Sequence, residues 1–157
     1  MSSEPGAPPR VHEFTLRVTY ADTDKMGVVY YANYLRFFEQ ARTELLRSLG
    51  ARYRDIEEKR KLYLPAAQAG YRYLSPARYD DLLLARTWLA RLGPASVEFV
   101  YEIRDAQDPG QLRVLGRTRH AVVDAFWKPA RLPEDLRAAL RPFLGAPPAG
   151  LRSGDRA

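Results

Sequence analysis

Two aspartates stand one residue apart in the stretch YADTDKMGVVYYANY, residues 20–34. Asp22 and Asp24 precede Gly27 and the apolar run VVYY, and Asn33 then opens a segment with helical spacing. A carboxylate held at the mouth of an apolar helix can act as general base or as nucleophile. Free N–H groups in the first turn of that helix can stabilise an oxyanion. Tyr30, Tyr31 and Tyr34 can line an apolar acyl pocket. Together these parts suit hydrolysis of an ester or thioester. A plainer use also fits, because D-x-D between a strand and a helix serves turn chemistry and suits the positive end of a helix.

Other chemistries find less support in the chain. It has no cysteine, which excludes disulfides, thiolate metal sites and cysteine nucleophiles. His12 and His120 are far apart and neither has a partner at ligand spacing, so no metal site is expected. Ser48, Ser75 and Ser96 lack the G-x-S-x-G frame of a nucleophile elbow. Glu39 is a second candidate carboxylate, but its place beside Arg42 favours a structural pair.

The elements that must hold the aspartates follow from periodicity. Residues 13–20 alternate, with Phe14, Leu16, Val18 and Tyr20 on one face, and predict a half-buried strand. Residues 33–50 place Tyr34, Phe37, Phe38, Ala41, Leu45 and Leu49 on one helical face. Arg36, Glu39, Arg42 and Arg47 fall outside that stripe. Asn33 suits the N-cap and Gly50 the stop. A short helical turn is expected within 53–61. Strands are predicted at 67–77, 82–93, 95–105 and 111–127, with hairpin turns at RLGPAS and DAQDPGQ. A closing helix spans 132–144, with Pro133 in its first turn. One long apolar helix needs a sheet to bury it, so the fold class is α+β, an antiparallel sheet curled around the helix. The sheet's other face would stay partly apolar through Trp88, Leu115 or Val123, favouring oligomers. Trp127 is most simply core or interface.

The chain of 157 residues reads as one domain at 11–144 between disordered tails at 1–10 and 145–157. The net charge of +6 favours acidic or phosphorylated partners, yet the arginines are scattered and form no nucleic-acid-binding block. No apolar run reaches membrane-span length and no leader segment is read, so the cytoplasm is the expected compartment.

The run VTYADTDKMGVVYYANYLRFFEQARTELLRSLG resembles the signature of hotdog-fold acyl-CoA thioesterases, the 4-hydroxybenzoyl-CoA thioesterase family with its Tol-Pal-associated branch. The matching positions are Asp22, Asp24, Gly27, Val29, Tyr30 and Tyr34, then Phe37, Phe38, Glu39, Ala41 and Arg42. The resemblance implies a hotdog fold and a homotetramer built from dimers, with active sites at subunit interfaces. It implies Asp24 as the catalytic carboxylate, Asp22 as a turn residue and the Tyr31 backbone N–H as oxyanion donor. Gly27, Val28, Tyr30, Asn33 and Tyr34 are the expected substrate contacts, with Gly27 allowing close approach of the loop. Tyr31 stands where the Tol-Pal-associated branch often has histidine, so no helper histidine is expected there. No cofactor is implied, since coenzyme A is part of the substrate; Arg91, Arg117, Arg119, Lys128 and Arg131 are candidates for its phosphates. Two alternatives remain at this point. One is a non-catalytic hotdog module binding acyl-CoA or acyl-carrier protein. The other is a hotdog dehydratase, which would need His120 close to Asp24.

Overall fold

The computed structural model describes residues 8–151. Of the expected tails at 1–10 and 145–157, residues 1–7 and 152–157 lie outside the described residues. Five strands form one antiparallel sheet: β1 (His12–Arg17), β2 (Ala66–Tyr73), β3 (Leu82–Leu92), β4 (Ser96–Asp105) and β5 (Leu112–Ala121), in the order β1-β3-β4-β5-β2. The two expected hairpins are the β3–β4 and β4–β5 connections. Helices are α1 (Asn33–Ser48), α2 (Tyr53–Arg60) and α3 (Glu134–Leu140). None of them is long and apolar enough to cross a membrane.

The apolar stripe of α1 is buried against the concave face of the sheet. Tyr34, Phe37, Phe38, Ala41 and Leu45 meet Leu83, Ala85, Leu89, Phe99, Tyr101, Ile103 and Val114 in one core. The closest approach is over Gly116, where a Cβ would stand 2.2 Å from the Phe38 ring. Phe38 also stacks on Tyr101, with centroids 4.5 Å apart. Gly116 thus sets how deeply the helix sinks into the sheet. The helix ends in a Schellman motif: Gly50, at φ 73°, donates to Arg47 O and Ala51 donates to Leu46 O.

Several expected boundaries move. The first strand stops at Arg17, because Thr19 and Asp22 close a 3₁₀ turn at Tyr20–Asp22. The strand expected at 67–77 ends at Tyr73. The strand expected at 111–127 ends at Ala121, because the Asp124 carboxylate accepts the N–H groups of Phe126 and Lys128 and folds a turn. Trp127 sits on that turn at φ 59° and is exposed, not core. Residues 145–151, expected in the C-terminal tail, pack on the sheet. Gly145 N–H donates to Leu89 O, Ala146 O accepts from the Trp88 indole, and Leu151 O accepts from Arg117. This strap covers the outer face, where Trp88, Val100 and Leu115 are buried yet lie outside the main core. The apolar outer face expected to drive oligomerisation is therefore largely covered by the chain itself.

A directed hydrogen-bond chain crosses the core. His120 Nδ1 lies 2.9 Å from Leu64 O and Nε2 2.8 Å from Thr118 Oγ1, which lies 2.6 Å from the Tyr101 hydroxyl. A carbonyl only accepts, so Nδ1 carries the proton and Nε2 accepts from Thr118. Tyr101 then donates to Thr118, and the Arg42 guanidinium faces the hydroxyls of Tyr101 and Tyr53. Arg42 was expected outside the buried stripe and beside Glu39; instead it turns inward and Glu39 is exposed.

Burial lowers the His120 pKa from 6.5 to about 4, with nearby Arg42 adding to the effect and Leu64 O opposing it. The unfolded chain therefore binds the extra proton first as pH falls. This group's contribution is complete above pH 6.5 and declines towards pH 4, by about 3 kcal/mol. Urea unfolding should show wild type losing that increment between pH 7 and 4. His120→Gln should decline less steeply; parallel declines would refute the assignment.

Candidate active site

Asp22 and Asp24 occupy different environments although one residue separates them. Asp22 is only 4% exposed. Its carboxylate accepts from Thr19 N at 2.8 Å, from Thr19 Oγ1 at 2.9 Å and from Arg36. Its carbonyl accepts from Tyr30 N at 2.9 Å and from Asn33 Nδ2 at 2.8 Å. One residue therefore ties the end of the first strand to the beginning of α1. Asp24 stands on a small hairpin closed by Asp24 N–H to Val28 O and Gly27 N–H to Asp24 O. Its Oδ1 accepts from Met26 N at 2.8 Å, and Oδ2 has no partner among the described residues.

Gly27 has φ 81°, and a Cβ there would meet nothing within 4 Å. The glycine serves the left-handed backbone of the turn, and close packing does not require it. Asn33 is not the N-cap, as was expected. The chain already turns at Tyr30, whose carbonyl accepts the Asn33 N–H; Ala32 is the cap, and the Asn33 side chain reaches back to Asp22.

A cavity of about 320 Å³ opens between this junction and the end of β2. Asp24, Val28, Tyr31 and Tyr34, four of the seven expected site residues, line it. Gly27, Tyr30 and Asn33 do not. Tyr30 instead packs on the Tyr31 ring, with centroids 4.7 Å apart. The amides of Tyr31 and Ala32 donate to no acceptor among the described residues, whereas those of Tyr30 and Asn33 are both engaged. The cavity therefore brings Asp24 together with Tyr31, whose helix-start amide is unpaired among the described residues, beside an apolar wall.

Sequence reasoning missed Met26 and the opposite wall, formed by Tyr73, Leu74, Ser75 and Pro76. The i, i+2 spacing of Tyr71 and Tyr73 was the available signal of a common face. Ser75 is no free nucleophile, since its Oγ donates to Leu112 O at 3.0 Å. Glu39 does not line the cavity. His120 pairs with Ala66 and Tyr73 with Val114 at opposite ends of the β2–β5 ladder, about 20 Å apart along the strand. With both ring nitrogens engaged, His120 offers no acid–base partner to Asp24 within one chain. None of the five candidate phosphate-binding residues lines this cavity, and Arg117 is held by Leu151 O and Glu98. Arg119 lies in a separate cleft with Gln68 and Ser96.

This architecture is a hotdog fold, one long helix wrapped by an antiparallel sheet. The thioesterase superfamily model matches residues 26–110, beginning two residues after Asp24. Acyl-CoA thioesterase YbgC of Haemophilus influenzae is 35% identical over 127 residues, covering 80% of this chain and 91% of that protein. The 1,4-dihydroxy-2-naphthoyl-CoA hydrolase of Thermosynechococcus vestitus is 30% identical over 113 residues, covering 72% and 76%. The solved 1,4-dihydroxy-2-naphthoyl-CoA thioesterase Slr0204 of Synechocystis superposes with a TM-score of 0.78 at 26% identity, covering 84% of this chain and 96% of that one. The chain belongs to the thioesterase superfamily.

The two aspartates should separate cleanly in stability. Asp22→Ala removes three charge-assisted contacts and should cost about 2–3 kcal/mol in urea unfolding, discounted for the exposure of Arg36. Asp24→Ala should cost about 0.5 kcal/mol or less. Equal losses would contradict the division.

Proposed function

We propose that this chain hydrolyses the thioester of an acyl- or aroyl-CoA, releasing coenzyme A and the acid, with Asp24 as the reacting carboxylate. The observation that carries this reading is the shared cavity, lined by Asp24 and by Tyr31, whose amide has no acceptor among the described residues, beside Val28, Tyr34 and Tyr73. The names of the relatives, an acyl-CoA thioesterase and two enzymes acting on a naphthoyl-CoA, support the substrate class.

The thioester carbonyl carbon faces Asp24 and its oxygen the Tyr31 N–H. Acting as base, Asp24 takes a proton from water while the water oxygen bonds to the carbonyl carbon. The C=O electrons move to oxygen, where the amide and the positive end of α1 stabilise them. Collapse re-forms the carbonyl and breaks the C–S bond, and the thiolate takes up the proton. Acting as nucleophile, the Asp24 carboxylate would instead displace the thiolate to form a mixed anhydride, which water then cleaves. The local geometry serves both routes. Water is the only co-reactant.

The working unit in this reading is at least a homodimer, with the tetramer of the family resemblance as its larger form. Met26, Tyr31, Tyr73 and Leu74 leave exposed apolar surface around the cavity mouth, and β2 is an exposed edge strand beside it. A second copy paired on that edge would cover both.

Asp24→Asn keeps size and shape but removes the base. Steady-state hydrolysis across a panel of acyl-CoAs should fall at least about 1,000-fold, with wild-type unfolding behaviour. Near-wild-type turnover would rule Asp24 out. Sedimentation velocity should give a dimer or tetramer at micromolar concentration; a monomer with full activity would overturn the assembly reading.

A further inference from the structure

The wall opposite Asp24 carries a group that the proposed chemistry has not yet used. Tyr73 is the last residue of β2, and its backbone is fixed on both sides. It pairs with Val114, and the next two amides, of Leu74 and Ser75, both donate to Arg113 O. From this anchor its side chain crosses the cavity, and its hydroxyl lies 3.2 Å from the Tyr31 carbonyl. The ring stands edge-on to Tyr31 at 6.4 Å and to Tyr71 at 5.2 Å, and lies 5.8 Å from Tyr34.

The acceptor is what makes this contact consequential. Two peptide planes meet at the Tyr31 Cα. The preceding plane carries the unpartnered Tyr31 N–H, and its oxygen, Tyr30 O, accepts from Asn33 N at 2.9 Å. The following plane carries Tyr31 O, which accepts the Tyr34 N–H at a long 3.4 Å. The backbone bond at that carbonyl is therefore long, and the Tyr73 hydroxyl supplies a second donor. Holding both planes fixes φ and ψ at Tyr31 and hence the direction of its N–H. Partial desolvation and the neighbouring Tyr71 hold the Tyr73 pKa above the usual tyrosine range, so it remains a donor at neutral and mildly alkaline pH.

We propose that Tyr73 is a positioning residue for thioester hydrolysis, its hydroxyl holding the Tyr31 peptide so that the adjoining amide faces the reacting carbonyl. This rests on the assignment of the cavity as a thioesterase site. Tyr73 touches no reacting atom in this account; it acts through the Tyr31 backbone. A misdirected amide stabilises the oxyanion poorly but leaves ground-state binding of the acyl group almost unchanged.

Tyr73→Phe keeps the ring and its edge contacts and removes only the hydroxyl. With the acyl-CoA that wild type hydrolyses best, kcat should fall about 10-fold while KM stays within about 2-fold. The urea midpoint should match wild type. Tyr73→Leu, which also removes the ring, should lose the same in kcat and raise KM as well. A purely structural or wall-forming Tyr73 would give a raised KM or a lowered midpoint with unchanged kcat, and either result overturns the proposal, as does wild-type kcat in Tyr73→Phe. Asp24→Asn run alongside separates the two levels. If Asp24→Asn is inactive and Tyr73→Phe has wild-type kcat, the positioning role falls and the thioesterase site stands. If Asp24→Asn turns over like wild type, the site assignment itself fails, and the positioning role fails with it.

Discussion

The site depends on one buried carboxylate that takes no part in the proposed chemistry. Asp22 collects the Thr19 amide and hydroxyl and the Arg36 guanidinium on its side chain, and the Tyr30 amide and the Asn33 carboxamide on its carbonyl. These partners come from the chain before the hairpin, the turn after it and α1 itself. A carboxylate so deeply buried is costly unless every oxygen is occupied, so the arrangement is nearly all-or-none. Once it is satisfied, the intervening hairpin has few ways to lie. Asp24 is carried to the cavity, and the Tyr31 amide is left without a partner at its edge.

The rest of the fold brings a second wall to that junction. Phe38 seated on Gly116 fixes the depth of α1 in the sheet, and the β2–β5 register fixes where β2 ends relative to the helix start. Tyr73 spans the gap between them. The core hydrogen-bond chain through Tyr101, Thr118 and His120 reaches the opposite end of β2 at Leu64. The strand is thus held at both ends by polar contacts as well as by its ladder. The C-terminal strap closes the other face of the sheet, which leaves the β2 edge and the cavity mouth as the exposed apolar surface next to the site.

Much of this was legible in the sequence, and what was not has physical reasons. Helix α1, the hairpins and the α+β class follow from local periodicity and turn chemistry. Asp24, Val28, Tyr31 and Tyr34 were legible because they lie on one short contiguous stretch. Tyr73 and residues 74–76 were hidden because they reach the site through strand register, which no local pattern encodes. Arg42 was misread because a charge at that helical position is ordinarily solvated; here the guanidinium turns inward, near Tyr101 and Tyr53. The strap was misread because Pro, Gly and Ala are typical of a tail, while its attachment comes from backbone groups meeting Leu89, Trp88 and Arg117. The 124–127 turn was misread because Phe126 and Trp127 favour strands, and the Asp124 side chain outcompetes that preference.

In the proposed site the thioester carbonyl lies between Asp24 and the Tyr31 amide. The most direct measurement is a crystal structure of the wild-type protein with a ketone analogue of acyl-CoA, in which a methylene between sulfur and carbonyl prevents hydrolysis. The carbonyl oxygen is expected about 3 Å from Tyr31 N, its carbon facing the Asp24 carboxylate, and the acyl group against Val28, Tyr34 and Tyr73. A carbonyl lodged elsewhere, for example in the cleft beside Arg119, with Asp24 left in solvent, would contradict it.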